Sequence, residues 1–465
     1  MADNNVVPVE LGTEKISRLL KKYAVPAIIA MTASSLYNMV DSIFIGQGVG
    51  ALAISGLAVT FPLMNLSSAF GTLVGIGAAT LLSILLGQRN YEASNKVLGN
   101  IVSLNIIIGF LFMAVAIIFL DPILYFFGAS ENTIGYAREY MQIILYGNII
   151  THLYFGLNNA MRSSGNPKKA MALTLFTVIF NTLLDPVMIF WFDMGIKGAA
   201  WATVISQAIA TIFVMVHFSD RSKVLHFEKG IIRLDIRIAK ESLAIGFGPF
   251  LMNSAACLVT LFINQQLRKY SGDLGIGAYG INNRLVFMFV MICMGLNQGM
   301  QPIAGYNYGA RLYSRVQKVY VITAKMATVV TTMCFLVAVL VPQYAVSIFT
   351  HDPELVSMSA KGLTVMNLAF PIVGFQMIST NLFQCLGMVH KSIFLSLTRQ
   401  ILFLIPLLYV MPLIFDSKGI WMSFPIADFL SFILTAIMLA RLLKKFSQMK
   451  DGDDPALLGR QIIGG

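Results

Sequence analysis

Residues 34–47 read SSLYNMVDSIFIGQ, and they lie inside the apolar run Ala24–Gly46, which is long enough to cross a bilayer and yet carries a carboxylate, Asp41. A hydrocarbon core about 30 Å thick takes roughly 20 apolar residues in helical form. An ionised side chain near mid-span costs about 2.5–3.5 kcal/mol on insertion scales, and residues that bear this cost face a water-filled cavity and serve a pathway or relay. Asp41 is therefore a candidate functional residue on physical grounds alone. The first 14 residues are polar, and the run that follows exceeds the apolar core of a removable signal, so the first helix is expected to be retained.

The rest of the chain reads the same way. Of its 465 residues 57% are hydrophobic and only 12% charged, with a mean hydropathy of +0.75. That leaves too few polar residues to cover a water-soluble globule, so the chain is an all-α integral membrane protein. Windows near 20 residues predict twelve transmembrane helices, at about 24–46, 53–86, 98–120, 138–160, 168–190, 197–217, 243–267, 278–304, 319–342, 361–384, 392–414 and 420–441. The second run has 34 residues and would be about 51 Å long as a straight helix. It is expected to tilt, protrude or bend, with Pro62 and Gly71 as places to bend.

A net charge of +11 would suggest nucleic acid in a soluble chain, but here its distribution is topological and no nucleic-acid partner is expected. Lys and Arg number 24 in the N-terminal segment, the even-numbered loops and the C-terminal segment, against six in the odd-numbered loops, counting Arg138 and Lys361 at helix edges. Arg284, Lys325 and Arg399 fall within spans. The positive-inside bias puts both termini in the cytoplasm, in a multi-pass protein of the cytoplasmic (inner) membrane. Cys257, Cys293, Cys334 and Cys385 form no CxxC pair, and the five histidines have no metal-ligand spacing. Neither a disulfide framework nor a structural metal is indicated, and no cofactor is expected.

The basic connection 219–240 divides the chain nearly in half, and the halves repeat one another. LGQRNYEASNKV matches YGARLYSRVQKV, placing Gly87 over Gly309 at an offset of 222, and RSSGNPKKAM matches QCLGMVHKSI, placing Gly165 over Gly387 at the same offset. DMGIKGAAW and FDSKGIWMS set Gly198 over Gly419 at 221, and Pro26 and Pro249 open the first and seventh helices at 223. Four such pairs in one order give an N-terminal lobe at 1–218, a cytoplasmic linker at 219–240 and a C-terminal lobe at 241–465. Six helices per lobe is an even number, so the two six-helix bundles insert alike, related by a pseudo-twofold axis along the membrane normal. TEKISRLLKKY and RLDIRIAKESL, just before each half, read equally well as interfacial helices or as charged linkers. Two lobes around a central cavity suit transport by relative motion of the lobes.

Polar residues inside the spans mark where chemistry sits. Tyr37, Asn38 and Asp41 share or border one face of the first helix. On the fifth helix Asn181 and Asp185 are four apart, and Pro186 withholds a donor from the carbonyl of Thr182. The fourth helix adds Asn158 and the sixth Thr203. Two embedded acids with amide and hydroxyl oxygens between them suit Na+ or one shared proton, with the acid pair favouring H+. Alternatively, Asp185 is an interfacial charge near its helix end. In the second half the neutral Asn264 stands over Asp41 and Leu407 over Asp185. Arg284 and Arg399 are its embedded cations, and Arg399 suits either an anionic group or a pairing with Asp428 on the twelfth helix. Gly71, Gly75 and Gly77 form a small-residue packing stripe on the second helix.

These segments resemble the MATE (multidrug and toxic compound extrusion) family, in its DinF/MepA-like bacterial branch. The resemblance runs from VPAIIAMTASSLYNMVDSIFIGQ through LGQRN, MRSSGNPKKAM and NTLLDPVMIF to GINNRL and IAGYNYGAR. It implies a V-shaped pair of six-helix bundles, monomeric and embedded in lipid, that exports cationic amphipathic compounds in exchange for H+ or Na+. It also implies coupling through an Asp on the first helix, an Asn and an Asp four apart on the fifth and a Thr on the sixth; Asp41, Asn181, Asp185 and Thr203 match one by one. Relatives that bind Na+ in the second lobe carry a Glu on the seventh helix and an Asp on the tenth, and here the only acid in either run is Glu241 at its entrance. Tyr37, Asn38, Asn158, Arg284 and Arg399 are the candidates to line a substrate cavity. The alternatives are a flippase for lipid-linked oligosaccharides or peptidoglycan precursors, which calls for more cavity arginines and lysines, and an intramembrane enzyme, which calls for facing catalytic groups that the spans lack.

Overall fold

The structure is a computed structural model and describes residues 9–49, 51–228, 233–349 and 352–453. Each of the twelve apolar runs is helical, and no strand occurs among the described residues. In the first half α1 is Ile16–Gly48, α2 Ala51–Gly87 and α3 Tyr91–Ile118. α4 has two pieces, Ile134–Tyr146 and Asn148–Ser163, with Gly147 between them. α5 is Pro167–Trp191 and α6 Gly195–Ser219. In the second half α7 is Ile236–Gly272, α8 Leu274–Gly309 and α9 Tyr313–Leu340. α10 pairs Pro353–Met366 with Phe370–Cys385 at a 54° bend. α11 (389–414) and α12 (417–448) share the run Val389–Gln448, interrupted at Phe415 and Asp416.

Among the described residues eight helices are long and apolar enough to cross a membrane, nine when the bent α10 counts as one span. The three that complete the twelve are α1, which includes positions outside the described side chains, the two-piece α4, and α12, which is continuous with α11. α2 stays one helix through Pro62 and is the most enclosed of those eight, 83% of its apolar window lying inside the protein. TEKISRLLKKY and RLDIRIAKESL are not separate interfacial helices; from Ile16 and Ile236 onward they are the first turns of α1 and α7.

The sequence repeat is written into the backbone. Arg89 and Arg311 both hold a left-handed φ of 59°, Asp193 and Asp416 hold 52° and 51°, and Gly165 and Gly387 hold 93° and 67°. A non-glycine residue pays about 1–2 kcal/mol for that conformation. Its recurrence at arginine and aspartate one repeat apart shows the same helix ending built twice. The closing hydrogen bonds repeat too. The amide of Asn90 donates to the Leu85 carbonyl and that of Leu312 to Asn307, while Asn166 donates to Met161 and Met388 to Phe383, each the wide 6→1 closure that caps a helix C-terminus.

The chain folds into two units, one of Ile29–Phe250 with the start of the chain, the other of Glu14–Ile28 with Leu251 onward. Each unit therefore contains the first stretch of a helix whose remainder belongs to the other. The crossings fall just after Pro26 in α1 and Pro249 in α7, the prolines matched by the repeat. In the first unit α7 lies on α2 with no side chain between them: a Cβ on Gly77 would strike the Ser242 backbone, and one on Gly246 that of Leu73. In the second unit α1 lies on α8 in the same way, Gly299 against Ala24 and Gly295 against Ile28. Gly71 and Gly75 of α2 meet His152 and Gly156 of α4, so the glycine stripe is a packing surface.

Candidate functional site

α5 carries the site because its sequence changes helix type there. Pro186 has no N–H to donate, and the helix passes into a π-helical turn, Val187–Trp191, in which the Phe192 amide reaches the Val187 carbonyl at 3.0 Å. Such turns are frequent at functional sites. Small residues draw the neighbours in. A Cβ on Gly48 of α1 would press on Ile189 and Phe190, and one on Gly198 of α6 on Met188.

Asp41, Asn181, Asp185 and Thr203 are all buried, Asp185 completely. The Asn181 amide joins two of the others, Nδ2 lying 3.4 Å from Asp185 Oδ1 and 3.3 Å from Thr203 Oγ1. Asp41 stands within electrostatic reach of Asp185. Asp185 is thus an interior group of the first unit, and the reading of it as an interfacial charge is corrected: five helical residues follow Pro186, and the acid points into the bundle. Asp41 Oδ1, Asp185 Oδ2 and Asn181 Oδ1 are enclosed, and none meets a hydrogen-bond donor among the described residues. Among the described residues the site is therefore rich in acceptors and short of donors. Replacing Asn181 with Leu is expected to leave Asp185 and Thr203 without their shared partner and to lower stability by about 1–3 kcal/mol, read as a fall in thermal unfolding temperature in detergent.

The remaining residues singled out from the sequence are more scattered. The side chains of Tyr37 and Asn38 lie outside the described residues. Asn158 is buried and donates from Nδ2 to Thr174 Oγ1 at 3.0 Å. Arg284 is exposed on α8. Arg399 is paired with Asp428, in the second unit, and takes no part in the Asp41 site.

Sequence reasoning misses a buried polar stripe on α5. Thr174, Thr177, Asn181 and Asp185 follow one another at spacings of three, four and four, and the Tyr154 hydroxyl lies 3.2 Å and 3.4 Å from the two threonine hydroxyls. The spacing is visible in the sequence, but threonine is too common in apolar helices to stand out. A second missed cluster ties α2 to α4: Ser67 Oγ donates to Asn148 Oδ1 at 2.5 Å, and His152 Nε2 lies 3.0 Å from the Ser67 carbonyl.

The MatE family profile matches residues 26–187 and 244–410, one segment in each half. The chain is 28% identical over 429 residues to the multidrug export protein MepA of Staphylococcus aureus, covering 92% of this chain and 94% of that one. It is also 28% identical over 422 residues to MepA of Staphylococcus saprophyticus, covering 91% and 93%. Among solved structures, the MATE multidrug transporter DinF-BH, determined in complex with a ligand, is 36% identical and superposes with a TM-score of 0.87 over 94% of this chain and 98% of that one. An outward-facing MATE family transporter of the MOP superfamily, 20% identical, shares the fold with a TM-score of 0.88 over 96% of this chain and 100% of that one. With both halves matched by one profile and the fold shared almost end to end, the chain belongs to the MatE family: it is a multi-pass membrane transporter of the multidrug and toxic compound extrusion type, not an enzyme.

Proposed function

We propose that the protein is an ion-coupled antiporter that exports cationic amphipathic compounds across the cytoplasmic membrane by alternating access, with Asp41, Asn181, Asp185 and Thr203 as its coupling site. The observation that carries this reading is the group of enclosed acceptor oxygens around two acids with no donor to satisfy them among the described residues. Burying such atoms unmet costs free energy. A proton turns one carboxyl oxygen into a donor, and Na+ is met by the oxygens directly. Either ion relieves the site when it binds and leaves it strained when it departs. The names of the MepA relatives, and of DinF-BH as a multidrug transporter, support drug-like cargo.

In the cycle, the outward-open protein loads its ion at Asp41 and Asp185. α1 then bends near Pro26, whose missing N–H leaves the helix without one internal bond. The cavity collapses and cargo leaves. Opening inward releases the ion and admits new cargo. The lobes 1–218 and 241–465, joined by the linker 219–240, are the moving halves of a lipid-embedded monomer with both termini in the cytoplasm. Tyr37, Asn38 and Asn158 are the cargo-contacting residues of the first half, Arg284 and Arg399 those of the second. Coupling belongs to the first half, because the acids of α7 and α10 stand near their starts, Glu241 and Glu354. The flippase reading is weaker still with Arg399 already paired to a carboxylate.

Proteoliposomes with separately imposed pH and Na+ gradients test the reading. Uptake of a cationic dye is expected to rise with the pH gradient. A response to Na+ alone would assign that ion instead, and a response to neither would remove coupling from the mechanism.

A further inference from the structure

The turn that joins α7 to α8 carries charge against the pattern of the rest of the chain. It passes through Gly272, which holds a left-handed φ of 63°, and it lies at the end of α7 away from the basic linker. With both termini in the cytoplasm, as proposed above, that end is the outer one. Outer ends of spans are poor in Lys and Arg, yet Arg268 and Lys269 stand here side by side, both exposed. Other cations of the odd-numbered connections are matched: Arg138 is paired with Asp121 and Lys197 with Glu139. Neither Arg268 nor Lys269 has a carboxylate partner among the described residues, and Asp273, the one acid of the turn, lies outside the described side chains.

The two cations border a cavity of about 450 Å³ within the second unit, together with Asn264, Gln265 and Ile276. Asn264 and Arg268 are four apart on α7, as are Gln265 and Lys269, so each amide lies one turn before a cation. The Lys269 ammonium sits 5.1 Å from the centre of the Tyr270 ring, a cation–π contact at the level where tyrosine favours the membrane interface. Earlier on the same face of α7, Leu261 and Leu258 are 39% and 51% exposed. The stripe from Leu258 to Arg268 thus passes from apolar to cationic over about 15 Å of helix, half the depth of a hydrocarbon core. The repeat supplies a contrast. At the offset of 223, Asn264, Arg268 and Lys269 stand over Asp41, Ile45 and Gly46, so α7 offers donors where α1 offers a carboxylate.

Arginine and lysine bring only donors, the guanidinium as a fork that fits phosphate oxygens, and the two amides can add theirs. Two cations exceed the single charge of a phosphodiester. A headgroup with an ammonium of its own is therefore repelled, and one without is favoured. A free anion would fill the polar end and leave the apolar stripe unused.

We propose that this part of the second unit is a binding site for an anionic phospholipid, its phosphodiester held by Arg268 and Lys269 with the amides of Asn264 and Gln265, and an acyl chain lying along Leu261 and Leu258. The site does not draw on the export reading.

The test is native mass spectrometry of the purified full chain in detergent, titrated with short-chain phosphatidylglycerol, with phosphatidylcholine of the same chains, and with inorganic phosphate. The first phosphatidylglycerol is expected to bind about tenfold more tightly than phosphatidylcholine and not to be displaced by inorganic phosphate. Arg268→Gln with Lys269→Gln is expected to weaken it about tenfold or more, the range for hydrogen bonds to a charged group. Removing two exposed cations from the last turns of α12, Lys444→Gln with Lys445→Gln, is expected to change it less than about twofold, which separates a built site from net charge. Asn264→Leu keeps both cations and is expected to weaken it about threefold. Unfolding temperature without lipid and a gel-filtration profile like that of the wild type are the folding control. Should the double variant fail it, Arg268→Gln alone carries the test, with an expected loss of about threefold. Equal affinity for the two lipids, unchanged binding in correctly folded variants, equal effects of the two double variants, or displacement by inorganic phosphate would overturn the assignment.

Discussion

Asp41→Asn is expected to insert, fold and bind a cationic dye as the wild type does, and to lose gradient-driven export by about tenfold or more. The substitution keeps the shape and removes the ionisable oxygen. An embedded carboxylate costs about 2.5–3.5 kcal/mol at insertion, so the amide is neutral or favourable for assembly, and thermal unfolding should occur at the same temperature or higher. What disappears is one of the two carboxyls able to change charge inside the first unit, where Asp41 and Asp185 are buried within electrostatic reach of each other. The informative readout is the split between retained dye binding and lost uphill transport in proteoliposomes. Full export by the variant would remove Asp41 from the coupling site.

Gly246→Ala is expected to be the most damaging added methyl among the described glycines. Its Cβ would be built onto the backbone of Leu73 in α2, and backbone cannot rotate away as a side chain can. Overpacking of a well-fitted contact costs roughly 1–3 kcal/mol, and here the helices must separate, so the upper end of that range is expected. Gly77→Ala meets Ser242 and Gly246 from the opposite side, and Gly299→Ala meets Ala24 one repeat later, so all three should lower the thermal unfolding temperature. Gly280 is the control. It is helical with open space where a Cβ would stand, and Gly280→Ala is expected to raise stability by about 0.5–1 kcal/mol through helix propensity. Equal behaviour of Gly246→Ala and Gly280→Ala would show that the close helix contact does not matter.

The helices and the duplication are legible in the sequence because both are local or periodic. Twenty-residue apolar runs announce themselves, and the 222-residue offset read from LGQRN and YGARL reappears as paired left-handed residues. Asp41 and Asp185 are legible because charge in an apolar run is rare, and Asn181 because it stands four residues before Asp185. The true starts of α1 and α7 are not. Arg18, Lys21 and Lys22 depress the hydropathy of a segment whose Leu19, Leu20 and Tyr23 are fully buried. Spacing leaves the partner of Arg399 open between an anion and Asp428, because a contact across 29 residues is set by how α11 and α12 pack. Nor does hydropathy announce a π turn, which depends on one lost or displaced hydrogen bond.

The exchange of helix starts at Pro26 and Pro249 has a mechanical meaning. Each half of the chain lends its leading segment to the other, in the manner of a reciprocal domain swap within a single polypeptide. α1 and α7 pass from unit to unit at two positions, residues 28–29 and 250–251. Both lie beside a residue that cannot complete the helical hydrogen-bond ladder. The duplication thus repeats the proline break as well as the bundle, while the buried acids Asp41 and Asp185 occur in the first unit alone.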